Sequence, residues 1–258
     1  MRKNISRLHK INYISAVKNG KWRLSYSVEY KDIGLKNYKD TWNWQEEIFK
    51  KLVENKKTDT RDKKIRKSFS GTLIFVEHPH VYTLGKSGSE SNLLLDYIQL
   101  KAKDASFYRI DRGGDVTYHG PGQIVGYPIF DLEVLGTGIR DYISGIEEAL
   151  IRTIREYGLD GARLRGGTGV WIDPEIPGKA RKICAIGVKA SRFVTMHGFA
   201  FNVNTDLSYF NYINPCGFID KGVTSLAKEL GRQQDFNKAK EIIKKNMQEV
   251  FDLEWINQ

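Results

Sequence analysis

Apolar and polar positions along this chain switch between two periods, and each switch marks an element. Residues 22–30 alternate, with Leu24, Tyr26 and Val28 on one face, which predicts a strand. Residues 41–54 place Trp42, Gln45, Ile48, Phe49, Leu52 and Val53 at helical spacing, which predicts an amphipathic helix. Residues 55–70 lose all periodicity, are rich in Lys, Asp and Thr, and read as a surface loop or insertion. A strand-rich block follows. Apolar runs at 72–77 and 81–84 are joined by His78-Pro79-His80, and further runs lie at 107–110, 116–118 and 124–130. Residues 140–157 return to helical spacing, with Tyr142, Ile143, Ile146, Ala149, Leu150 and Ile154 on one face and Gly158 at the end. Strand patterns recur at 170–172, 182–190 and 193–203, and the chain turns helical from about Asp235 to Phe251.

Strands in clusters, separated by single helices, lack the regular alternation of a doubly wound parallel sheet. The pattern predicts an α+β fold with mixed or antiparallel sheets packed against helices. No linker divides it, so one domain is expected over residues 26–258, with a basic extension at 1–25 and a basic insertion near 55–70. With 40% apolar and 28% charged residues the chain can bury a full core, and no apolar run approaches the length of a membrane span. Its net charge of +10 suits an acidic partner, either a nucleic acid or an acidic protein. Residues 1–28 hold seven Lys/Arg and no acid, and residues 50–67 hold nine against three; each stretch taken alone reads as a solvated segment. The N-terminus lacks the apolar core of a secretory signal. Ile5, Leu8 and Ile11 give it a faint similarity to an organelle transit peptide, but a disordered or strand-leading extension is the preferred reading. Two cysteines imply no disulfide framework and a reducing compartment, so a cytoplasmic location is expected.

Candidate chemistry concentrates in three places. The run Arg112-Gly113-Gly114-Asp115-Val116-Thr117-Tyr118-His119-Gly120-Pro121-Gly122-Gln123 combines a guanidinium fork, suited to an acidic or carbonyl group, with glycine pairs whose N–H groups can approach a ligand. A hairpin with an incidental arginine is the plainer alternative. Cys216 lies in Asn214-Pro215-Cys216-Gly217, where a tight turn would hold a thiol near backbone N–H groups; a small buried hydrophobe is the alternative. Lys182 opens an otherwise apolar strand, either at a rim or partly buried, and beside a thiol it would favour thiolate. Cys184, two residues on, reads as packing. His78, His80, His119 and His197 lack metal-ligand spacing, so no metal site is expected, and His197 suits a core position or a pocket wall. No phosphate-binding glycine loop and no Gly-x-Ser-x-Gly elbow is present.

Four segments carry a family resemblance: FVEHPHVYTLG at 75–85, RGGDVTYHGPGQIVGYPIFDL at 112–132, RKICAIGVKASRFVTMHGFAFNVNTDL at 181–207, and INPCGF at 213–218 followed by VTSLAKELG. Over roughly residues 25–232 the chain resembles the octanoyltransferases of lipoate synthesis, the lipoyl(octanoyl) transferase family. The resemblance implies the core shared by biotin and lipoate protein ligases. It also implies transfer of an octanoyl group from acyl carrier protein to a lysine of a lipoyl domain, through a thioester on Cys216 with Lys182 as its activating base. Substrate-binding roles carry over to Arg112, Gly113, Gly114, Asp115, Val116, Thr117, Tyr118 and His119, to Ala185, Ile186 and Gly187, and to Gly198, Phe199 and Ala200. The implied partners are octanoyl-acyl carrier protein, the lipoyl domains of 2-oxoacid dehydrogenases and the glycine cleavage H protein. Neither nucleic acid nor membrane is implied as a partner, no cofactor is expected, and the chain is expected to act as a monomer. An ATP-dependent lipoate ligase of the same fold and a nucleic-acid-binding module are the competing expectations; neither needs Cys216.

Overall fold

The computed structural model describes residues 17–18, 21–22, 25–58, 69–214 and 221–256. In chain order the elements are β1 (Val17–Lys18), β2 (Lys21–Trp22), β3 (Tyr26–Leu35), α1 (Tyr38–Thr58), β4 (Phe69–Glu77), β5 (Val81–Leu84), α2 (Tyr97–Ala102), β6 (Ser106–Arg109), β7 (Val116–His119) and β8 (Gln123–Phe130). Then follow α3 (Ile139–Arg155), β9 (Gly161–Leu164), β10 (Gly167–Ile172), β11 (Arg181–Ser191), β12 (Val194–Asn202), β13 (Gly222–Val223), α4 (Leu226–Leu230), α5 (Phe236–Phe251) and β14 (Leu253–Ile256). Single 3₁₀ turns cover Glu90–Asn92 and Leu207–Tyr212.

A mixed sheet runs in the order β14-β3-β4-β8-β12-β11-β10-β9, with β13 joined to β11. Its β14-β3-β4 end is parallel, and the ladder from β4 through β9 is antiparallel. A small sheet, β6-β5-β7, stands apart from it. The architecture is the expected α+β.

Helices cover both faces of the large sheet, which explains its central strands. Every residue of β8 and β12 is buried. Leu73 and Phe75 of β4 and Ile124 and Phe130 of β8 pack with Tyr142, Ile146, Leu150 and Ile154 of α3 and with Ile243 and Met247 of α5. The alternate residues Ile74, Val76, Val125, Tyr127 and Ile129 pack on the opposite face with Phe49 and Leu52 of α1. Strands covered on both sides read as continuous apolar runs rather than strict alternation. Asp235 caps α5 by accepting the Lys238 N–H at 3.0 Å, as a helix beginning near that aspartate requires.

Several details depart from the sequence expectations. The first long strand starts at Tyr26 and continues to Leu35. Helix α1 extends through Thr58, into the stretch expected to be a loop, and Lys56 there is held by Asp131 at 2.7 Å and Glu133 at 2.9 Å. The rest of that insertion, at 59–68, and most of the N-terminal extension lie outside the described residues. The run through Gly120-Pro121-Gly122 is not a hairpin: β7 pairs with β5 in the small sheet, and β8 pairs with β4 and β12 in the large one. Elements α2, β9, β13, α4 and β14 go unread in the sequence because each has six residues or fewer, too few to establish a period. Ile146 is fully buried between helix and sheet; Ile146→Ala should lower the unfolding free energy by about 2–5 kcal/mol, read from the shift of a urea denaturation midpoint.

Candidate active site

The small sheet and the large one meet around a cavity of about 570 Å³. Arg112, 7% exposed, lies in the loop that joins β6 to β7. Its Nη2 donates to the Thr83 carbonyl at 2.8 Å and to Thr83 Oγ1 at 3.1 Å, and its Nη1 donates to the Gly113 carbonyl at 3.0 Å. The expected donor fork is present, and these contacts turn it onto the protein's own carbonyls. Gly113 N–H donates to the Val188 carbonyl of β11 at 2.9 Å. Gly114 takes φ +87°, a conformation that side chains disfavour. Asp111, just before this run, accepts from His197 Nε2 of β12 at 3.0 Å and pairs with Lys189 of β11. These two bonds hold its carboxyl well below the usual carboxylate range. Sequence reading missed Asp111 because His197 lies 86 positions away and no spacing links them.

His119 is buried. Its Nδ1 donates to Gln123 Oε1 at 2.9 Å, an orientation set by Gln123 Nε2 donating to the Tyr118 carbonyl and to Asn202 Oδ1. Burial pushes the imidazole down to about 3, so it is neutral near pH 7. Its ring stacks on Tyr38 at 5.9 Å. His197, 2% exposed, joins the same cavity wall, and burial lowers it too. Tyr38, Gln123, Tyr127 and Asn202 add further polar groups to the cavity lining, and Val125, Ile143, Ile186, Val188, Phe199 and Phe210 add apolar ones.

The three segments singled out by resemblance converge on this cavity. Arg112 to Thr117 and His119 line it, as do Ala185 to Gly187 and Gly198 to Ala200. Tyr118 does not. Successive strand residues point to opposite faces, so with Thr117 and His119 turned to the cavity, Tyr118 packs behind the lining with Tyr82 and against Phe210, its hydroxyl 2.7 Å from His80 Nδ1. Among the described residues no group of three His, Cys, Asp or Glu is placed to hold a metal ion.

Lys182 is half-buried and is among the residues that line the cavity. The start of β11 is fixed by Arg181, which bonds both oxygens of Glu229 at 2.6 Å and Asp173 at 2.6 Å. Thr224 N–H donates to the Lys182 carbonyl at 2.9 Å, and Val223 of β13 lies opposite Lys182. Cys184 is fully buried in the main core, where burial pushes its thiol up; it is a packing residue, as expected. Cys216 lies outside the described residues. Both flanks of its segment reach the cavity: Ile213 on one side, Lys221, Gly222 and Val223 on the other. The flanks are pinned, with Asn214 N–H on the Asn92 carbonyl at 2.8 Å and Gly222 N–H on the Ala180 carbonyl at 2.9 Å.

A family model described as the lipoyl protein ligase A/B catalytic domain matches residues 37–248. An octanoyltransferase from Parabacteroides distasonis is 55% identical over 225 residues, covering 87% of this chain and 99% of its own. One from Christiangramia forsetii is 53% identical over 239 residues, covering 90% and 98%. In fold, the chain is similar to the bipartite lipoate protein ligase of Thermoplasma acidophilum, with a TM-score of 0.61 at 14% identity, covering 90% of this chain and 87% of that one.

Because Cys184 has no exposed surface and a raised titration point, it should resist iodoacetamide at neutral pH in the native protein. Peptide mass spectrometry should find it modified only after unfolding.

Proposed function

This chain belongs to the lipoyl protein ligase A/B catalytic-domain family, and we propose that it moves octanoyl groups through a thioester on Cys216 with Lys182 as the base. Octanoyl transfer in lipoate synthesis is the activity of a chain more than half identical, over nearly their whole length, to octanoyltransferases. One observation carries the mechanistic reading: Lys182 lines the same cavity as the residues on both sides of the Cys216 segment.

In the first half-reaction Lys182 Nζ takes the proton from Cys216 Sγ, and the thiolate attacks the carbonyl carbon of octanoyl-acyl carrier protein. The tetrahedral adduct collapses with loss of the phosphopantetheine thiolate, which takes the proton back from the Lys182 ammonium. In the second half, the neutral amine of a lipoyl-domain lysine attacks the Cys216 thioester. An amide forms, the Cys216 thiolate leaves, and the amine's surplus proton passes to Lys182. The incoming thioester supplies the activation, so the protein's work is to generate and orient the thiolate.

The apolar residues of the cavity lining suit the acyl chain. Burial contributes about 0.8 kcal/mol per methylene. Gly187 keeps the wall open where the Arg-Gly-Gly loop lies against it, since a Cβ there would sit 2.9 Å from the Gly113 carbonyl oxygen. Acyl carrier protein and the lipoyl domains of 2-oxoacid dehydrogenases and glycine cleavage H protein are the two partners in this reading. The positive surplus of the chain would steer acidic carriers toward it. Lys56, one of the basic residues near the insertion, is held by internal carboxylates and contributes little to such a field. The chain acts as a monomer in this reading, and a free thiol nucleophile suits the reducing cytoplasm.

Incubation with octanoyl-acyl carrier protein, without ATP, should add one octanoyl mass to the peptide containing Cys216. Cys216→Ala should abolish the adduct and Cys184→Ala should retain it; an adduct on Cys184 would overturn the assignment. Lys182→Met should slow single-turnover acylation by about 10²-fold or more and move the pH profile of Cys216 alkylation upward. An unmoved profile would remove Lys182 from the chemistry.

A further inference from the structure

Lys182 has a partner that its sequence neighbours do not reveal. Trp171 of β10 is its register partner on β11, at a point where the ladder shifts between Val170 and Trp171. The Lys182 Nζ stands 4.6 Å from the centroid of the Trp171 ring, within the range of cation–π attraction, which is strongest for tryptophan. Trp171 is 2% exposed, so surrounding atoms hold the ring in place. Gly169, with φ +119°, lies along the lysine stem: a Cβ built there falls 3.6 Å from Lys182 Cε and 2.5 Å from the Cys184 carbonyl oxygen. Lys182 and Trp171 both line the cavity. The lysine backbone is fixed independently by the Thr224 N–H and by the adjoining Arg181 clamp. The remaining freedom is that of the lysine stem, and the ring face restricts where its nitrogen comes to rest.

We propose that Trp171 is the positioning residue for Lys182, its ring face holding the ε-ammonium at the cavity wall and favouring the protonated amine. The assignment rests on the reading of Lys182 as the proton acceptor for Cys216. One proton is shared between Sγ and Nζ, and the ring forms and breaks no bond. By stabilising the ammonium, the ring draws that proton to nitrogen and leaves sulfur as thiolate, the attacking species. Lys182 and Glu147 of α3 both act electrostatically on the buried Cys184 of β11, and Lys221 before β13 lines the same cavity. Glu147 is engaged by the Gly169 N–H at 3.0 Å and by Arg163 Nε at 3.0 Å.

The test uses the full-length protein with Trp171→Leu, Trp171→Phe, and a series carrying singly to multiply fluorinated tryptophan at position 171 alone. Fluorination drains the ring face of electron density while keeping close to its size and shape, so the series decides the question even if the leucine variant fails to fold. Two profiles are read against pH by mass spectrometry: competitive acetylation of the Lys182 amine with acetic anhydride, and alkylation of Cys216 with iodoacetamide. The Lys182 amine should become about three- to thirtyfold more reactive at fixed pH in Trp171→Leu, less so in Trp171→Phe, and stepwise more so with each fluorine. The Cys216 profile should move upward in parallel. A Lys182 profile unchanged across the series overturns the proposal. A Lys182 profile that moves while that of Cys216 stays fixed upholds the role of Trp171 and instead overturns the Cys216–Lys182 pairing.

Discussion

The loop between β6 and β7 must reach from the small sheet to the large one without filling the space between them, and residues 110–115 meet that constraint. A buried guanidinium is costly unless its donors are satisfied. Arg112 satisfies them on backbone carbonyls of β5 and of its own loop, fixing the loop to the small sheet. Asp111 and Gly113 fix the same loop to β11 and β12. The cavity is the volume these attachments keep open, and its walls are the strands they join. Glycine at 187 completes the device, since any side chain there would strike the Gly113 carbonyl.

Electrostatics divides the cavity wall into parts with different tasks. His119 is held neutral by burial and oriented by Gln123, so it offers shape and a fixed hydrogen-bond pattern rather than charge. Asp111 keeps its charge and spends it on His197 and Lys189. Lys182 stands apart from that network, at the end of β11 fixed by Arg181, Glu229 and Thr224. A cation facing an aromatic ring and a largely apolar slot suits a reaction that needs one proton moved between sulfur and nitrogen while an alkyl chain stays dry.

Cys184 illustrates why a thiol near an ammonium is not by that alone a nucleophile. Cys184 is two positions from Lys182, yet it is packed among Val170, Ile183 and Phe201 with its thiol pushed up by burial. Desolvation there outweighs the nearby ammonium. The residues described on either side of the Cys216 segment, Ile213 and Lys221 to Val223, line the cavity that Lys182 also lines.

Local sequence determined the long elements and the chemical inventory. Runs such as 81–84 and 124–130 match β5 and β8 closely because an unbroken apolar run fits a strand that is buried throughout, and the motifs at 112–123 and 181–188 name many of the residues that meet at the cavity. The short elements α2, β9, β13, α4 and β14 were settled by tertiary pairing, since two to six residues cannot show a period. Tertiary structure also decided that Gly120-Pro121-Gly122 crosses between sheets rather than closing a hairpin, because pairing partners are chosen by distant strands. It turned Tyr118 away from the cavity by simple strand alternation, set Asp111 against His197 across 86 positions, and placed Trp171 over Lys182 through a shifted ladder. Residue types and spacing along the chain fix which groups are available; which of them touch depends on contacts between segments far apart in sequence, and local pattern carries no record of those.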